Sequence, residues 1–165
     1  MAELTVLESK LAEVLGLADA AKGVTEKVKG MLDEQESDLA GGLEQMGEEA
    51  RQTEERCTDV AGGLDGKKTA ILEEAREVKQ EAVEMMKTYL EGEDEALDGF
   101  EFLTMAEAGE VGHWEILQKL NEQAGIPAIA ELIKWALPIQ ERHLAEVREG
   151  SLTLASRQDP NETED

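Results

Sequence analysis

The stretch "EAGEVGHWEILQKLNEQAGIPAIAELIKWALPIQERH", residues 107–143, decides the fold that this sequence predicts. Apolar residues recur in it at steps of three and four, which is the spacing of one face of a helix. The segment "AGIPA" interrupts the pattern with a glycine that ends one helix and a proline that begins the next. So short a connection makes the two helices antiparallel neighbours. We therefore expect a helical hairpin over residues 98–123 and 128–148, with a kink in the second helix at Pro138.

The composition of the whole chain favours an all-α protein. Its 165 residues are enough for one domain, 41% of them are hydrophobic, and only three are proline. Good helix formers dominate, and no alternating run of Val, Ile and Thr predicts a strand. Further helices are expected at about residues 2–21, 25–60 and 68–90. We predict one antiparallel four-helix-bundle domain over residues 1–150, an extra helical segment near 68–92, and a polar, disordered tail over 151–165.

The charge of the chain argues against several classes of partner. Acidic residues number 39 and basic residues 16, which gives a formal net charge of -23. Such a surface does not bind nucleic acid or anionic lipid, because both need basic side chains. Cys57 is the single cysteine, so no internal disulfide is expected. The sequence has no apolar run of membrane-spanning length and no signal-peptide pattern, and it predicts a cytoplasmic location.

Polar residues in the middle of two apolar stripes are the candidate functional residues. The stripe of the first hairpin helix consists of Leu103, Ala106, Glu110, His113, Leu117, Leu120 and Ala124. The last helix carries Gln140 and His143 within an apolar stripe in the same way. A Glu-x-x-His pair on an inward face is how helical bundles build carboxylate-bridged metal sites.

The predicted metal site combines these residues with a carboxylate from the first helix. Its ligands are expected to be Glu8, Glu110, His113 and His143. Imidazole and carboxylate together suit iron, manganese or zinc. The alternative is a structural layer in which buried polar groups satisfy one another. No phosphate-binding loop or nucleophile elbow is present, so we do not expect an enzyme.

Two segments, "EVGHWEIL" (110–117) and "AGIPAIAELIKWALPIQERHLAEV" (124–147), followed by "LTLA", resemble the YciE/YciF family of ferritin-like bundles. In that family an acid–His–aromatic–Glu–Ile stretch precedes a glycine turn and a last helix with a pair of acids. Residues 112–116, Gly-His-Trp-Glu-Ile, match that stretch except that a glycine replaces the acid. Four expected site positions carry other residues, namely Gln35, Gly112, Ile139 and Gln140.

The resemblance implies a ferritin-like bundle, often dimeric, in a family linked to stress responses. It leaves two functional hypotheses open. The first is a self-associating, stress-associated bundle with at most a partial metal site. The second is a non-catalytic helical interaction or scaffold protein without metal. A third possibility is that "GSLTLAS", residues 150–156, addresses the chain to a protein compartment as cargo.

Overall fold

The fold is all-α, as predicted. A computed structural model describes residues 2–163, and within them the chain forms five α-helices, one short 3-10 helix and no strand. The α-helices are α1 (Val6–Lys29), α2 (Ser37–Gly62), α3 (Lys68–Tyr89), α4 (Ala96–Ala124) and α5 (Pro127–Ala155). The 3-10 helix, Glu34–Glu36, leads into α2. None of the helices in this part of the chain combines the length and hydrophobicity that a bilayer-spanning segment needs.

Helices α4 and α5 form the antiparallel hairpin that residues 107–143 predict. Gly125 ends α4 with a left-handed φ of 67°, and Pro127 begins α5. Asn121 closes the turn, because its side-chain nitrogen donates to the Ile126 carbonyl over 3.0 Å and its oxygen accepts from the Ile126 N–H over 3.1 Å. At the other end of the hairpin, the hydroxyls of Thr104 and Ser151 lie 3.2 Å apart. The two helices are therefore in contact from the turn to their far ends.

Helices α1, α2, α4 and α5 form the four-helix bundle, and each runs antiparallel to its neighbours. Between α1 and α2, Lys29 pairs with Glu44 and Lys22 with Glu54. The order of these pairs along the two helices shows that the chain direction reverses.

The same reversal occurs on the other two sides of the bundle. Glu49 of α2 pairs with Arg142 of α5, and Glu36, just before α2, pairs with Arg157, just after α5. Between α1 and α4, Glu13 pairs with His113 near one end, and Val28 packs against Gly99 near the other.

Helix α3 is the crossover that this topology requires. Both α2 and α4 run antiparallel to α1, so they run in the same direction, and the chain must return along the bundle between them. The 22 residues of α3 span ~33 Å at ~1.5 Å per residue, which is the length of the return. Lys67 pairs with Glu8 and Lys79 with Asp19, so α3 lies parallel to α1 on the outside of the bundle. The extra segment in the sequence therefore allows α2 and α4 to run in the same direction at diagonally opposite positions of the bundle.

Helices α3 and α1 approach each other closely at Gly16. A Cβ atom at this position would clash with the carbonyl oxygen of Ala75 and would lie 2.8 Å from Cβ of Val78. Only a residue without a side chain lets the two backbones approach so closely.

The first predicted helix boundary is wrong. We expected helix 1 to stop near Gly23 and Thr25 to begin the next helix, but α1 continues through both residues to Lys29. The Thr25 hydroxyl donates to the Ala21 carbonyl over 2.8 Å, so it is used inside the helix. Val24, Thr25 and Val28 are buried, and packing outweighs the low helix propensity of Gly23.

Helix α5 also extends beyond the domain boundary predicted at residue 150. Residues 151–155, which include most of the "GSLTLAS" segment, continue the helix, and Leu154 is buried. The hydroxyl of Ser151 donates to the Val147 carbonyl over 2.9 Å. Pro138 is exposed and lies inside the continuous helix.

The core consists of two apolar clusters at the two ends of the bundle. One contains Trp114, Leu117, Ile129, Ile133 and Ala136 together with residues from α1, α2 and α3. The other contains Val28, Leu43, Met46, Phe100, Leu103 and Val147. Along both α4 and α5, polar residues separate the two clusters.

Alanine at Gly16 and alanine at Gly23 should change stability in opposite directions. Gly16→Ala should lower the free energy of unfolding by about 1–3 kcal/mol, because the backbone of α3 must move away from the new methyl group. Gly23 lies in the same helix and is exposed, and a methyl group added there would have no atom within 4 Å. Gly23→Ala should therefore stabilise by about 0.5–1 kcal/mol through helix propensity alone. Urea unfolding measures both values, and two equal stabilisations would contradict this packing of α3.

A substitution at Leu117 tests which face of α4 is buried. Its side chain is fully buried in the first cluster, so Leu117→Ala should cost about 2–5 kcal/mol. Gln118 follows it on the exposed side of the helix, and Gln118→Ala should change stability by less than about 0.5 kcal/mol. Equal losses at the two positions in denaturant melts would mean that this face is assigned wrongly.

Candidate functional site

The polar residues between the two apolar clusters form the candidate site, which we call the polar layer. It consists of Glu49 from α2, Glu107 and Glu110 from α4, and Gln140 and His143 from α5. Four of the five have side chains buried in the bundle interior. On α5 the layer follows from the predicted stripe, since Ile133, Ala136, Gln140, His143 and Val147 are all buried.

Glu107 and Glu110 make up the acidic half of the layer. They lie one helical turn apart on α4, and their residues are only 2% and 6% exposed. The two carboxyl groups share a hydrogen bond, and the Gln140 amide donates to Glu107 Oε2 over 3.0 Å. Each of the two buried carboxyl groups thus has a partner inside the protein, as buried polar groups require.

Burial controls the protonation of this acidic pair. Loss of hydration raises the pKa of Glu107 from 4.5 to about 7, although hydrogen bonds from Glu110 and Gln140 partly oppose the change. Burial also raises the pKa of Glu110 well above its ordinary value, and the neighbouring charge of Glu107 raises it further. At neutral pH Glu110 is therefore the protonated partner, which donates its proton to Glu107. The pair carries one shared proton instead of two negative charges in the core.

His143 and Glu49 make up the other half of the layer. His143 is 2% exposed, and its Nε2 lies 3.2 Å from Glu49 Oε1. Burial lowers the pKa of His143, and the nearby Glu49 only partly restores it, so the imidazole is neutral at neutral pH. Burial works to raise the pKa of Glu49 as well, but hydrogen bonds from Arg142 and His143 lower it overall. A neutral imidazole thus donates from Nε2 to an ionised carboxylate.

The second nitrogen of His143 faces the acidic pair. Its Nδ1 lies 3.9 Å from Glu107 Oε2, which is beyond hydrogen-bond distance. Glu49 is also held by the guanidinium group of Arg142, which lies on the outer side of the layer. The imidazole therefore stands between two carboxyl groups, with Glu49 on one edge and Glu107 on the other.

The structure does not bring the four predicted metal ligands together. Glu110 and His143 are both in the polar layer. His113 instead lies on the flank of α4, with its Nδ1 2.9 Å from Glu13 Oε1 and 3.2 Å from Lys10 Nζ. Its side chain is 32% exposed, and burial lowers the pKa of the imidazole.

Glu8 has a local role at the beginning of α1. Its carboxylate accepts from the Thr5 N–H over 2.8 Å, and Thr5 Oγ1 accepts from the Glu8 N–H over 3.2 Å. This reciprocal pair is a capping box, which completes the hydrogen bonding of the helix terminus. Lys67 binds the same carboxylate over 3.1 Å and fixes the beginning of α3.

Sequence reasoning missed Glu107 and Glu49 as members of the layer. The inward face of α4 runs through Leu103, Glu107, Glu110, Trp114, Leu117 and Asn121. The predicted stripe shares Leu103, Glu110 and Leu117 with this face. It differs in containing Ala106 and His113 where the structure buries Glu107 and Trp114. Trp114 was the available signal, because so large an apolar side chain is most often buried. A face chosen to include Trp114 also includes Glu107 and excludes His113.

The arrangement of donors in the layer does not fit a metal centre. Across residues 2–163, no three or more His, Cys, Asp and Glu side chains are grouped so that they could hold a metal ion. The two ring nitrogens of His143 point in divergent directions, so the imidazole cannot bring Glu49 and Glu107 to one ion. The buried residues of α1 include no carboxylate and no histidine. A two-metal centre, which draws carboxylates from all four helices, therefore lacks a ligand from α1.

The pKa of Glu107 predicts how stability depends on pH. Between pH 4.5 and about 7 the unfolded carboxyl is ionised while the buried one still holds its proton, so this group makes the protein less stable as pH rises. Glu107→Gln removes that penalty, since a neutral amide has no charge to desolvate. Across this pH window the free energy of unfolding of the variant should rise relative to that of the wild type. The difference should be at most a few kcal/mol, because one pKa unit corresponds to about 1.4 kcal/mol.

Urea unfolding at several pH values measures this difference. The comparison with wild type cancels the opposite contribution of His143, whose lowered pKa makes the protein more stable as pH rises through the histidine range. Glu115→Gln, at an exposed position of the same helix, is the control and should follow the wild-type curve. Parallel curves for wild type and Glu107→Gln would contradict the raised pKa of the buried Glu107 carboxyl group.

Comparison with known proteins places the fold. No family model matches the sequence, and no curated protein matches it either. Among solved structures, the crystal structure of the E. coli stress protein YciF is similar, with a TM-score of 0.69 and 16% sequence identity. The likeness covers 93% of this chain and 96% of YciF, so it extends well beyond the hairpin. The resemblance to the YciE/YciF family is therefore confirmed for the fold, and this chain has the helical architecture of YciF.

Proposed function

We propose that this chain is a non-catalytic, stress-associated bundle protein in which the polar layer holds the helices in register instead of binding metal. One observation carries the proposal: His143 lies between Glu49 and Glu107 with one ring nitrogen directed at each. The hydrogen bonds from His143 to Glu49 and from Gln140 to Glu107 specify one alignment of α2, α4 and α5, because a shift of one helix would leave buried polar groups without partners.

Two neighbouring groups support a structural role. The Gln140 amide donates to Glu107, and so occupies one carboxylate oxygen with a proton donor. Arg142 places a fixed positive charge beside Glu49, which opposes the approach of a metal cation.

A second candidate function is a partial site for one ion of iron, manganese or zinc. The donor set favours it, since Glu107, Glu110 and the Nδ1 of His143 are the ligand types that these metals prefer. His143 would need to approach the acidic pair, and the shared proton would need to leave. Glu8 and His113 belong to neither version of this site, because their partners lie elsewhere.

Melting temperatures with and without metal separate the two functions. Wild-type protein purified without a His-tag should melt at the same temperature after dialysis against Fe²⁺, Mn²⁺ or Zn²⁺ as without metal, since only ligands that prefer the folded state stabilise it. Gln140→Glu is the positive control, because it replaces the blocking amide with a further carboxylate. Its apo form should melt below the wild type, and its melting temperature should rise when metal is added.

One result would overturn the structural proposal in favour of the partial site. It is a metal-dependent rise in wild-type melting temperature, at one ion per chain, that His143→Ala abolishes and that changes at the exposed Glu77 and Glu84 leave intact. The stress association rests on the likeness to YciF. It predicts that the abundance of the protein rises under osmotic, oxidative or acid stress, and unchanged abundance in all three would contradict it. Self-association and a cytoplasmic location stay predictions of the sequence.

A further inference from the structure

A groove of about 430 Å³ lies between α1, α3 and α4, outside the polar layer but ending at it. Helix α3 packs on α1, and near its C-terminal end Tyr89 contacts Phe102 of α4, but the two helices do not close over the space that the groove occupies. Small residues line it, including Ala20, Ala21, Ala82, Ala106 and Gly109. A groove of this size is within the range that binds small organic molecules.

The mouth of the groove exposes large apolar side chains. Met85 on α3 is 59% exposed, and Met105 on α4 is 46% exposed. The buried residues of α3 are Ala70, Ile71 and Ala75, whereas Val78 and Ala82 farther along the helix line the groove and remain half-buried. This leaves a strip of partly exposed apolar surface along the groove.

The floor of the groove is acidic. Glu107 and Glu110, both buried, line it, and Glu81 stands at its rim. No lysine or arginine is among the described residues that line it. Lys10 pairs with Glu13 near His113 but does not line the groove. Apolar walls above a carboxyl pair form a site in which a positive charge is favoured at the bottom and a hydrocarbon chain along the sides.

We propose that this groove binds a small amphipathic cation, namely a protonated primary amine with an aliphatic chain. The ammonium group would donate hydrogen bonds to the carboxyl groups of Glu107 and Glu110. The chain would lie against Leu17, Val78 and Met85. This inference goes beyond the structural role proposed for the polar layer.

Other occupants fit less well. A fatty acid would place a second anion beside the acidic pair in a chain whose net charge is already -23. A single hydrocarbon chain with a compact charged head matches both the apolar walls and the acidic floor of the groove.

Three ligands of equal chain length test the proposal by calorimetry on the full chain: n-decylamine, n-decanol and decanoate. All are used below their micellar concentrations and at about 0.15 M salt, which screens non-specific attraction to the acidic surface. The amine should bind with a stoichiometry of one per chain. The alcohol should bind at least about tenfold more weakly, because it lacks the charge, and decanoate should not bind measurably.

Variants locate the site. Glu107→Gln should weaken amine binding by at least about tenfold and leave decanol binding unchanged, since only the charged head depends on the carboxylate. Met85→Lys adds a positive charge at the exposed mouth and should also weaken the amine. Ile116→Lys is its matched control, because Ile116 is 47% exposed and lies outside the groove. It makes the same change in net charge and should leave the affinity for the amine as it is.

Several outcomes would overturn the proposal. Equal affinities for the amine, the alcohol and decanoate would indicate detergent-like adsorption. Equal effects of Met85→Lys and Ile116→Lys would place the amine on the general acidic surface. A basic amphipathic peptide that binds in a Met85-dependent way, while decylamine does not bind, would assign the groove to a helical partner. Circular dichroism confirms that each variant is folded before its affinity is compared.

Discussion

The packing of α3 on α1 at Gly16 is the contact on which the rest of the architecture depends. Because the two backbones approach closely there, the crossover can lie flat along α1 and return the chain over the length of the bundle. The return makes α2 and α4 run in the same direction at diagonal positions. That arrangement places α5 between α2 and α4, so that residues from these three helices can meet in one layer. It also places α3 along α1, and the groove stays open beside the layer, between α1, α3 and α4.

The polar layer is a balance between the cost of burying polar groups and the specificity that they provide. Two carboxyl groups and an imidazole are expensive to remove from water, and an apolar layer of equal volume would stabilise the bundle more. Sharing one proton between Glu107 and Glu110 reduces that cost by limiting the buried charge. Glu49 keeps its charge because Arg142 and the partly hydrated edge of the bundle stabilise it. The apolar clusters above and below the layer supply the stability that makes such a layer tolerable.

Sequence periodicity predicted those parts of the fold in which burial decides the structure. The bounds of α3 and α4 and the inward face of α5 were predicted closely, because their apolar stripes are regular and turn residues flank them. The end of α1 was not, because Gly23 and Thr25 are typical of a helix boundary and only tertiary packing of Val24 and Val28 overrides them. Local sequence contains no information on that packing.

The candidate site was predicted in part for a related reason. Two faces of α4 share Leu103, Glu110 and Leu117, and a small rotation of the helix exchanges Ala106 and His113 for Glu107 and Trp114. The spacing of Glu110 and His113 matched a known ligand motif, but Trp114 needs the buried position more than His113 does, since it has the larger apolar surface. Glu49 could not be found from α2 alone. It stands beside the buried stripe and becomes part of the layer only through His143 and Arg142 on another helix.

The groove and the polar layer share Glu107 and Glu110, and this has a consequence for how the protein responds to its surroundings. The proton that these two groups share neutralises one of their two charges, and a cation entering from the groove competes with it. A cation bound there would favour ionised Glu110, and with it a different hydrogen bond to Gln140 and a different charge facing His143. Occupancy of the groove would therefore be transmitted to α5 through the layer, because both depend on the same pair of carboxyl groups. A bundle with an apolar residue in place of Glu107 or Glu110 would be more stable. It would also lose this connection between the groove at its surface and the polar layer in its core.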